Sequence, residues 1–124
     1  MNSFRELKVW QEAHNLTLKI YELTRDFPQE EKFRLINQLC SSSASIPANI
    51  AEGTGRKTLK EYVQFLYNAR GSLEETKYHL ILAKDLGYIP IEEYEILQSR
   101  YNETGKMLNG LITSLKLKGE EEDG

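Results

Sequence analysis

The 124-residue sequence has only one cysteine, Cys40, and two histidines. A single cysteine cannot form a disulfide within the chain, and one thiol with two imidazoles provides too few ligands for a cysteine-histidine zinc site. The sequence therefore excludes two classes of small protein, the disulfide-stabilised secreted scaffold and the zinc module.

Long apolar runs are also missing. No run approaches the roughly 18 residues of a membrane-spanning helix, and Met1–Arg5 lacks the apolar segment of a signal peptide. We therefore expect a cytoplasmic protein that has no membrane partner.

Proline and low-complexity sequence are scarce, whereas apolar residues make up 40% and charged residues 28% of the chain. This composition is typical of a globular domain, and a chain of this length buries roughly two-thirds of its unfolded surface, enough for one core. The sequence predicts one domain at residues 1–118. Residues 119–124, which are two glycines and four acids, are predicted to form a disordered acidic tail.

A strong positive charge is absent as well. The formal charge is −3, and setting aside the four acids at positions 120–123 leaves 16 basic against 15 acidic residues. Nucleic-acid-binding domains usually concentrate lysine and arginine on one face. The only local cluster here is Arg56, Lys57 and Lys60. We interpret it as a solvated turn, with a weak phosphate contact as the alternative.

Strand patterns are missing, whereas apolar residues at spacings of three and four recur in four segments, which predicts an all-α chain. The predicted helices cover about residues 5–26, 30–53, 58–86 and 90–118. Thr58 and Glu61 form a capping-box pattern at the start of the third helix, and Gly87 is predicted to end it. Because the links are short, neighbouring helices must be antiparallel, which gives an up-down-up-down four-helix bundle.

The second helix contains Pro47 in its interior, where proline removes a backbone donor at a cost of about 3 kcal/mol. We predict one helix kinked at Pro47 rather than two helices, because serine hydroxyls just upstream can bind the carbonyls that the kink releases. The helix is predicted to end at Gly53, where glycine permits a positive φ. Its predicted buried face consists of Phe33, Ile36, Leu39, Cys40, Ser43, Ile46 and Ile50.

Two further faces of this helix are unusual. Ala44, Ala48 and Ala51, with Ser41, form a stripe of small residues that favours close contact with a partner helix, although alanine is also simply the best helix former. Short polar residues form another stripe, which the third helix repeats and which we predict to point away from the core, as a second interface between copies. The polar stripes are Gln38, Ser42, Ser45, Asn49 and Glu52, and Asn68, Ser72, Glu75 and His79.

The most specific string in the chain is Ser45–Gly53, with the pattern Ser-Ile-Pro-x-Asn-Ile-x-Glu-Gly. Further characteristic segments are Leu7–Gln11, Gln38, Gly71–Glu75, Leu86–Tyr88 and Lys106–Ile112. Together, over about residues 4–116, they resemble the four-helix-bundle family encoded in intervening sequences of bacterial 23S ribosomal RNA genes.

The resemblance implies a homopentameric ring of bundles with no established enzymatic activity and no firmly assigned role. A related branch, the accessory proteins of diversity-generating retroelements, is strongly basic, forms similar pentamers, and binds reverse transcriptase and nucleic acid. The near-neutral body of this chain differs from that branch. The motif residues that we take as candidates for an interface are Gln38, Ser45, Pro47, Asn49, Glu52, Gly53, Ser72 and Glu75.

Residues suited to catalysis or cofactor binding are few. Glu75 with His79 is the only metal-like pair, far short of the ligand set of a di-iron bundle. Cys40 lies on the apolar face, where a thiol normally packs, and no phosphate-binding loop is present. We therefore predict a protein with no enzymatic activity, cofactor, metal or small-molecule substrate.

Two functional hypotheses remain open. The leading one is a self-assembling scaffold or binding module, whose partner is another copy of itself. The alternative is an accessory factor that binds nucleic acid or a ribonucleoprotein. Its partner would be reverse transcriptase or ribosomal RNA, and five copies of the basic cluster would act together.

Overall fold

Four α-helices make up the computed structural model, which describes the backbone of residues 3–123 and the side chains of residues 3–121. The helices are α1 (Lys8–Thr24), α2 (Leu35–Thr54), α3 (Leu59–Asp85) and α4 (Ile91–Asp123). Short 3-10 turns, Phe4–Glu6 and Gln29–Glu31, precede α1 and α2. No strand occurs in the described part of the chain, and the predicted four-helix bundle is confirmed.

Neighbouring helices are antiparallel, because the residue numbers of the contacting residues increase along one helix while they decrease along the next. Consecutive helices pack against each other, α1 also packs against α4, and among the described residues the backbones of the diagonal pairs do not approach closely. The bundle is therefore square in cross-section. The contacts that show the direction are Thr17 to Ser43 and Thr24 to Cys40, Ser42 to Thr76 and Ser45 to Ser72, and Arg70 to Asn109 and Lys84 to Tyr94.

The core consists of apolar side chains spaced by three and four along every helix, as the sequence predicts. Its fully buried large side chains include Leu16, Ile20, Leu39, Ile46, Ile50, Leu66, Leu73, Leu80, Tyr101 and Leu108. Spacings of three and four favour the shallow crossing angle, about 20°, that is typical of helix bundles.

Both predicted caps of α3 are present. Thr58 has an extended backbone, and its hydroxyl oxygen accepts a hydrogen bond of 3.1 Å from the Glu61 amide. At the other end Gly87 has φ +83°, and the amides of Gly87 and Tyr88 donate to the Lys84 and Ala83 carbonyls. This is a Schellman motif, which needs a glycine in the left-handed region.

The start of α2 differs from the prediction. Phe33, expected on the buried face, is 85% exposed, and Leu35 occupies the core position instead. The backbone of Arg34 is not helical (φ −122°, ψ −105°), so Phe33 is out of register with the helix that follows. Glu31 holds this turn in place, because its carboxylate accepts a 2.8 Å hydrogen bond from the Tyr88 hydroxyl, which raises the pKa of Tyr88.

The end of α4 also differs from the prediction. The backbone is helical through Gly119 to Asp123, where the sequence predicted a disordered tail, while Gly124 lies outside the described residues. A Cβ placed on Gly119 would lie 4.0 Å from Leu59 Cδ1, so this last stretch runs beside the start of α3. Glutamate is a good helix former, which favours the continuation.

Candidate functional site

Helix α2 runs without interruption through Pro47, which is buried. Proline has no N–H, so the carbonyl of Ser43, four residues earlier, has no backbone donor. Thr17 on α1 is placed to supply the missing donor: its hydroxyl oxygen lies 2.9 Å from the carbonyl oxygens of both Ala13 and Ser43. Of these two acceptors, Ser43 is the one that lacks a helical N–H. The upstream serines were expected to bind this carbonyl, but the Ser43 hydroxyl donates to the Cys40 carbonyl at 3.1 Å and the Ser42 hydroxyl to that of Leu39 at 3.5 Å.

Part of the polar stripe of α2 faces α3, whereas the sequence predicted that the stripe points away from the core. Ser42 is buried and its Oγ lies 2.8 Å from Thr76 Oγ1, while Ser72 Oγ donates to Ser45 Oγ at 2.9 Å. We call these four residues the α2/α3 hydroxyl network. The prediction was wrong because a short hydroxyl can be buried once a neighbouring helix offers it a partner.

Asn49 extends this network by one turn. Its Nδ2 donates to the Ser45 carbonyl at 2.8 Å and to Ser45 Oγ at 3.0 Å, and the side chain is half-buried. Ser45 therefore binds groups on both helices. Asn49, Ser45 and Ser72 therefore make contacts within one chain, and a contact between copies at these residues stays a prediction.

Gly53 does not end α2 through a positive φ, as the sequence predicted it would. The glycine with positive φ is Gly87, and among the described residues no other has one. A Cβ at Gly53 would lie 2.9 Å from Tyr62 Cδ1, closer than real Cβ atoms come, and 3.0 Å from Phe65 Cβ, which is tighter than nearly all real contacts. Glycine at this position permits the close approach of α2 and α3.

The remaining motif residues lie apart from the network. Gln38, Glu52 and Glu75 are exposed. Glu52 pairs with Arg56 at 2.9 Å, and Glu75 Oε2 lies 3.4 Å from His79 Nε2 without hydrogen-bond geometry.

The small-residue stripe of α2 lies on the surface and borders a groove shared with α1. Trp10, His14, Leu18 and Tyr21 form the α1 side, and the rings of Trp10 and His14 are stacked with centroids 4.9 Å apart. Ala44, Ala48 and Ala51 form the α2 side, with Pro47 between them, and Phe4 and Thr17 complete the lining. We call this the α1/α2 groove. It has a volume of about 460 Å³.

The α1/α2 groove is strongly apolar for an exposed surface. Leu18 is 55% and Tyr21 49% exposed, and none of the lining residues is lysine, arginine, aspartate or glutamate. Apolar patches of this kind on soluble chains mark interaction sites. The alanines were predicted from the sequence. The α1 side was not, although its residues have a helical spacing of four, four and three that is visible in the sequence: Trp10, His14, Leu18 and Tyr21.

The basic cluster lies at the junction of α2 and α3. Lys57 and Lys60 are exposed, whereas Arg56 is held by Glu52 and its guanidinium lies 4.4 Å from the Phe65 ring centroid. The cluster borders a second groove, of about 950 Å³, whose lining includes Tyr62, Tyr67, Lys116 and Glu120. We call it the α3/α4 groove.

Chemically reactive groups are sparse. Within residues 3–121, no three His, Cys, Asp or Glu side chains come together as metal ligands. Cys40 Sγ lies 3.6 Å from Thr24 Oγ1 in the packing of α1 against α2. Tyr101 is buried in the core, which raises its pKa, and its hydroxyl has no partner among the described groups.

Among the helices that the structure describes between residues 3 and 123, none is long and apolar enough to cross a bilayer.

The chain is similar to known proteins in sequence and in structure. The model of the family described as 23S rRNA-intervening sequence protein matches residues 5–110. A crystal structure of a protein with unknown function from the S23 ribosomal protein family, from Bacteroides thetaiotaomicron VPI-5482, is 28% identical, with a TM-score of 0.79. The match covers 85% of this chain and 95% of that one. No curated protein matches the chain.

Proposed function

The chain belongs to the 23S rRNA-intervening sequence protein family, and from that premise we propose a non-enzymatic, self-assembling protein. In this proposal it forms a homopentameric ring in the cytoplasm, which acts as a scaffold or binding module. The resemblance to the family supports the number five. The α1/α2 groove supports assembly itself.

The α1/α2 groove is the observation that carries the proposal. Leaving Leu18 and Tyr21 about half exposed is unfavourable, since each large apolar side chain gains roughly 1.5–3 kcal/mol on full burial. The three alanines let a partner backbone approach closely, and the absence of charge means that nothing ionic must be desolvated. A surface with these properties is suited to contact with another helix.

Light scattering on the purified chain tests assembly. We expect a mass five times the 14.4 kDa of one chain, and a monomer at micromolar concentration would contradict the proposal. Ala48→Phe adds a bulky ring to the groove at an exposed position, so it should reduce the mass to that of the monomer while the helix content is unchanged. Ser99→Phe, at an exposed position of α4, is the matched control and should assemble normally.

A second candidate function is binding of nucleic acid or a ribonucleoprotein. The α3/α4 groove favours it, because Arg56, Lys57, Lys60 and Lys116 all line it. In a ring, five copies of these cations would act together and raise the avidity for a phosphate backbone. The Glu52 carboxylate that neutralises Arg56 and the presence of Glu120 in the groove weaken the attraction.

A mobility shift with structured RNA at about 50 mM salt tests this second function, because binding driven by phosphates is strongest at low salt. Binding that declines steeply with salt and is lost in Lys57→Gln/Lys60→Gln would support it. Absence of binding at low salt would remove it and leave the scaffold.

A further inference from the structure

We propose that the acidic segment of α4, residues 120–123, masks the α3/α4 groove and competes there with the phosphates of a nucleic acid. The inference rests on the second candidate function, nucleic-acid binding, and adds a control of that binding within the chain. No further molecule is needed for this control, because the competitor is part of α4 itself.

The acidic segment continues α4 beside the first turn of α3. The backbone of α4 is helical through Asp123. Gly119, just before the segment, lies against Leu59, which is the first residue of α3. Glu120 lines the α3/α4 groove together with Lys57 and Lys60. The segment therefore begins within the groove.

The groove and the segment carry opposite charges. The cations that line the groove are Arg56, Lys57, Lys60 and Lys116, of which Arg56 already pairs with Glu52. The segment consists of three glutamates and one aspartate. The N-terminal end of α3 adds the partial positive charge of its helix dipole on the same side. The cations of the groove therefore meet acids of their own chain before they meet an external phosphate.

The masking does not depend on fixed ion pairs. In the part of the chain whose side chains are described, Glu120 and Glu121 are exposed and form no ion pair, and the same holds for Lys57 and Lys60. Exposed charges of this kind contribute little to stability. They still repel a phosphate within a Debye length, which is about 10 Å at 0.1 M salt. The segment can therefore weaken phosphate binding without stabilising the fold.

Attachment to α4 makes the segment an effective competitor. A group that is tethered close to a site has an effective concentration in the millimolar range, whatever the concentration of the protein. An RNA has to displace the acids or bind in their field, and both lower its affinity. Removal of the acids should therefore strengthen binding.

RNA binding by a chain that ends at Lys118 tests the masking. The shortened chain and the full chain are compared in mobility shifts with one structured RNA at about 50 mM salt, where phosphate contacts are strongest. We expect the shortened chain to bind about tenfold more tightly, because four charges that repel the phosphates are removed. The ratio of the two affinities should fall toward one as salt is raised, since salt screens the acids.

Two variants of the full chain keep its length and differ in where four acids are neutralised. One variant should bind RNA as tightly as the shortened chain, and it carries Glu120→Gln, Glu121→Gln, Glu122→Gln and Asp123→Asn. The matched control should bind like the unchanged chain. It makes the same four changes at exposed positions at the other end of the bundle, Asp85→Asn, Glu92→Gln, Glu93→Gln and Glu95→Gln. Equal gains in the two variants would be an effect of net charge alone and would overturn the proposal.

Carbodiimide cross-linking, which joins carboxylates to lysine amines in contact, tests the position of the segment without RNA. We expect links from residues 120–123 to Lys57 or Lys60, and their absence would overturn the proposal. Equal RNA affinities of the shortened and full chains would also overturn it, while leaving the second candidate function in place. No binding by either chain would remove that function and the masking together.

Discussion

Small residues lie on two sides of α2, and the two sides differ in burial and in hydrogen bonding. Toward α3, Ser42 and Ser45 bind hydroxyls of the facing helix, and Gly53 lets the two backbones approach. On the outer side, Ala48 is exposed. The polar groups of the inner side find partners within one chain, whereas the outer side has no hydroxyl or amide that needs one.

This difference teaches that size alone does not identify an interface. Serine and alanine at spacings of three and four look alike as stripes, but only buried hydroxyls must find partners. The experiments below act on one side at a time, so that a large effect on the monomer marks the inner side and an effect on assembly marks the outer side.

The largest effect on folding is expected from Gly53→Leu. The added Cβ alone would meet Tyr62 and the backbone-attached Cβ of Phe65 at about 3 Å, so the two helices must separate. We expect a loss of about 3 kcal/mol in the free energy of unfolding, measured by denaturant titration. Gly71→Leu, at an open position of α3, is the control and should leave monomer stability nearly unchanged. Equal losses in the two variants would contradict the packing role of Gly53.

Thr17→Val removes the hydroxyl that serves the Ser43 carbonyl and should cost about 2 kcal/mol, because a buried acceptor is left unpaired. Thr104→Val is the matched control, since the Arg100 carbonyl that Thr104 binds also receives a helical N–H. In a Pro47→Ala background residue 47 regains its N–H, so Thr17→Val should cost about 1 kcal/mol less there. A double-mutant cycle with no coupling would show that the proline and the threonine act independently.

Asn49→Leu should cost about 1 kcal/mol, less than Thr17→Val, because Ser45 keeps its bond to Ser72 when the amide is lost. Ala48→Leu, one residue away on the outer side, should change the stability of the monomer by less than about 0.5 kcal/mol. Chemical denaturation of both variants at a concentration where the chain is monomeric compares the two sides directly. A larger loss in Ala48→Leu would reverse our assignment of inner and outer sides.

The smallest effect is expected from a chain that ends at Lys118. The truncation removes the helical residues beside Leu59, but it also removes acids from the C-terminal end of α4, where negative charge opposes the helix dipole. We expect an unchanged oligomer mass and a stability change below about 0.5 kcal/mol by thermal melting. A clear drop in either quantity would show that the acidic segment docks.

The order and caps of the helices were predictable because they depend on short-range rules. The spacing of Leu66, Leu73 and Leu80 requires a helix with one buried side, and Thr58 and Gly87 are recognised from their neighbours alone. Phe33 was placed wrongly because an apolar residue in register favours burial, and nothing in the sequence shows that the backbone of Arg34 breaks that register.

The candidate site was less accessible to sequence reasoning. The donor for the Ser43 carbonyl is Thr17, 26 residues away on another helix, and no local pattern connects the two. The orphan carbonyl could be foreseen from Pro47, but the identity of its partner depends on how α1 docks. The polar stripes were assigned to the outside because winding the residues as a helix puts them away from the apolar face. Their partners across α2 and α3 appear only when both helices are placed.

The bond between Thr17 and the Ser43 carbonyl also bears on how the folded chain opens. The middle of α2 lacks one backbone hydrogen bond, because Pro47 has no N–H. A hydroxyl of α1 donates to the carbonyl in its place. When α1 lifts away, the carbonyl loses its donor, so α2 is weakened at that point at the same moment. Hydrogen exchange should therefore find the amides of α1 and those flanking Pro47 opening together, as one cooperative unit with a shared protection factor.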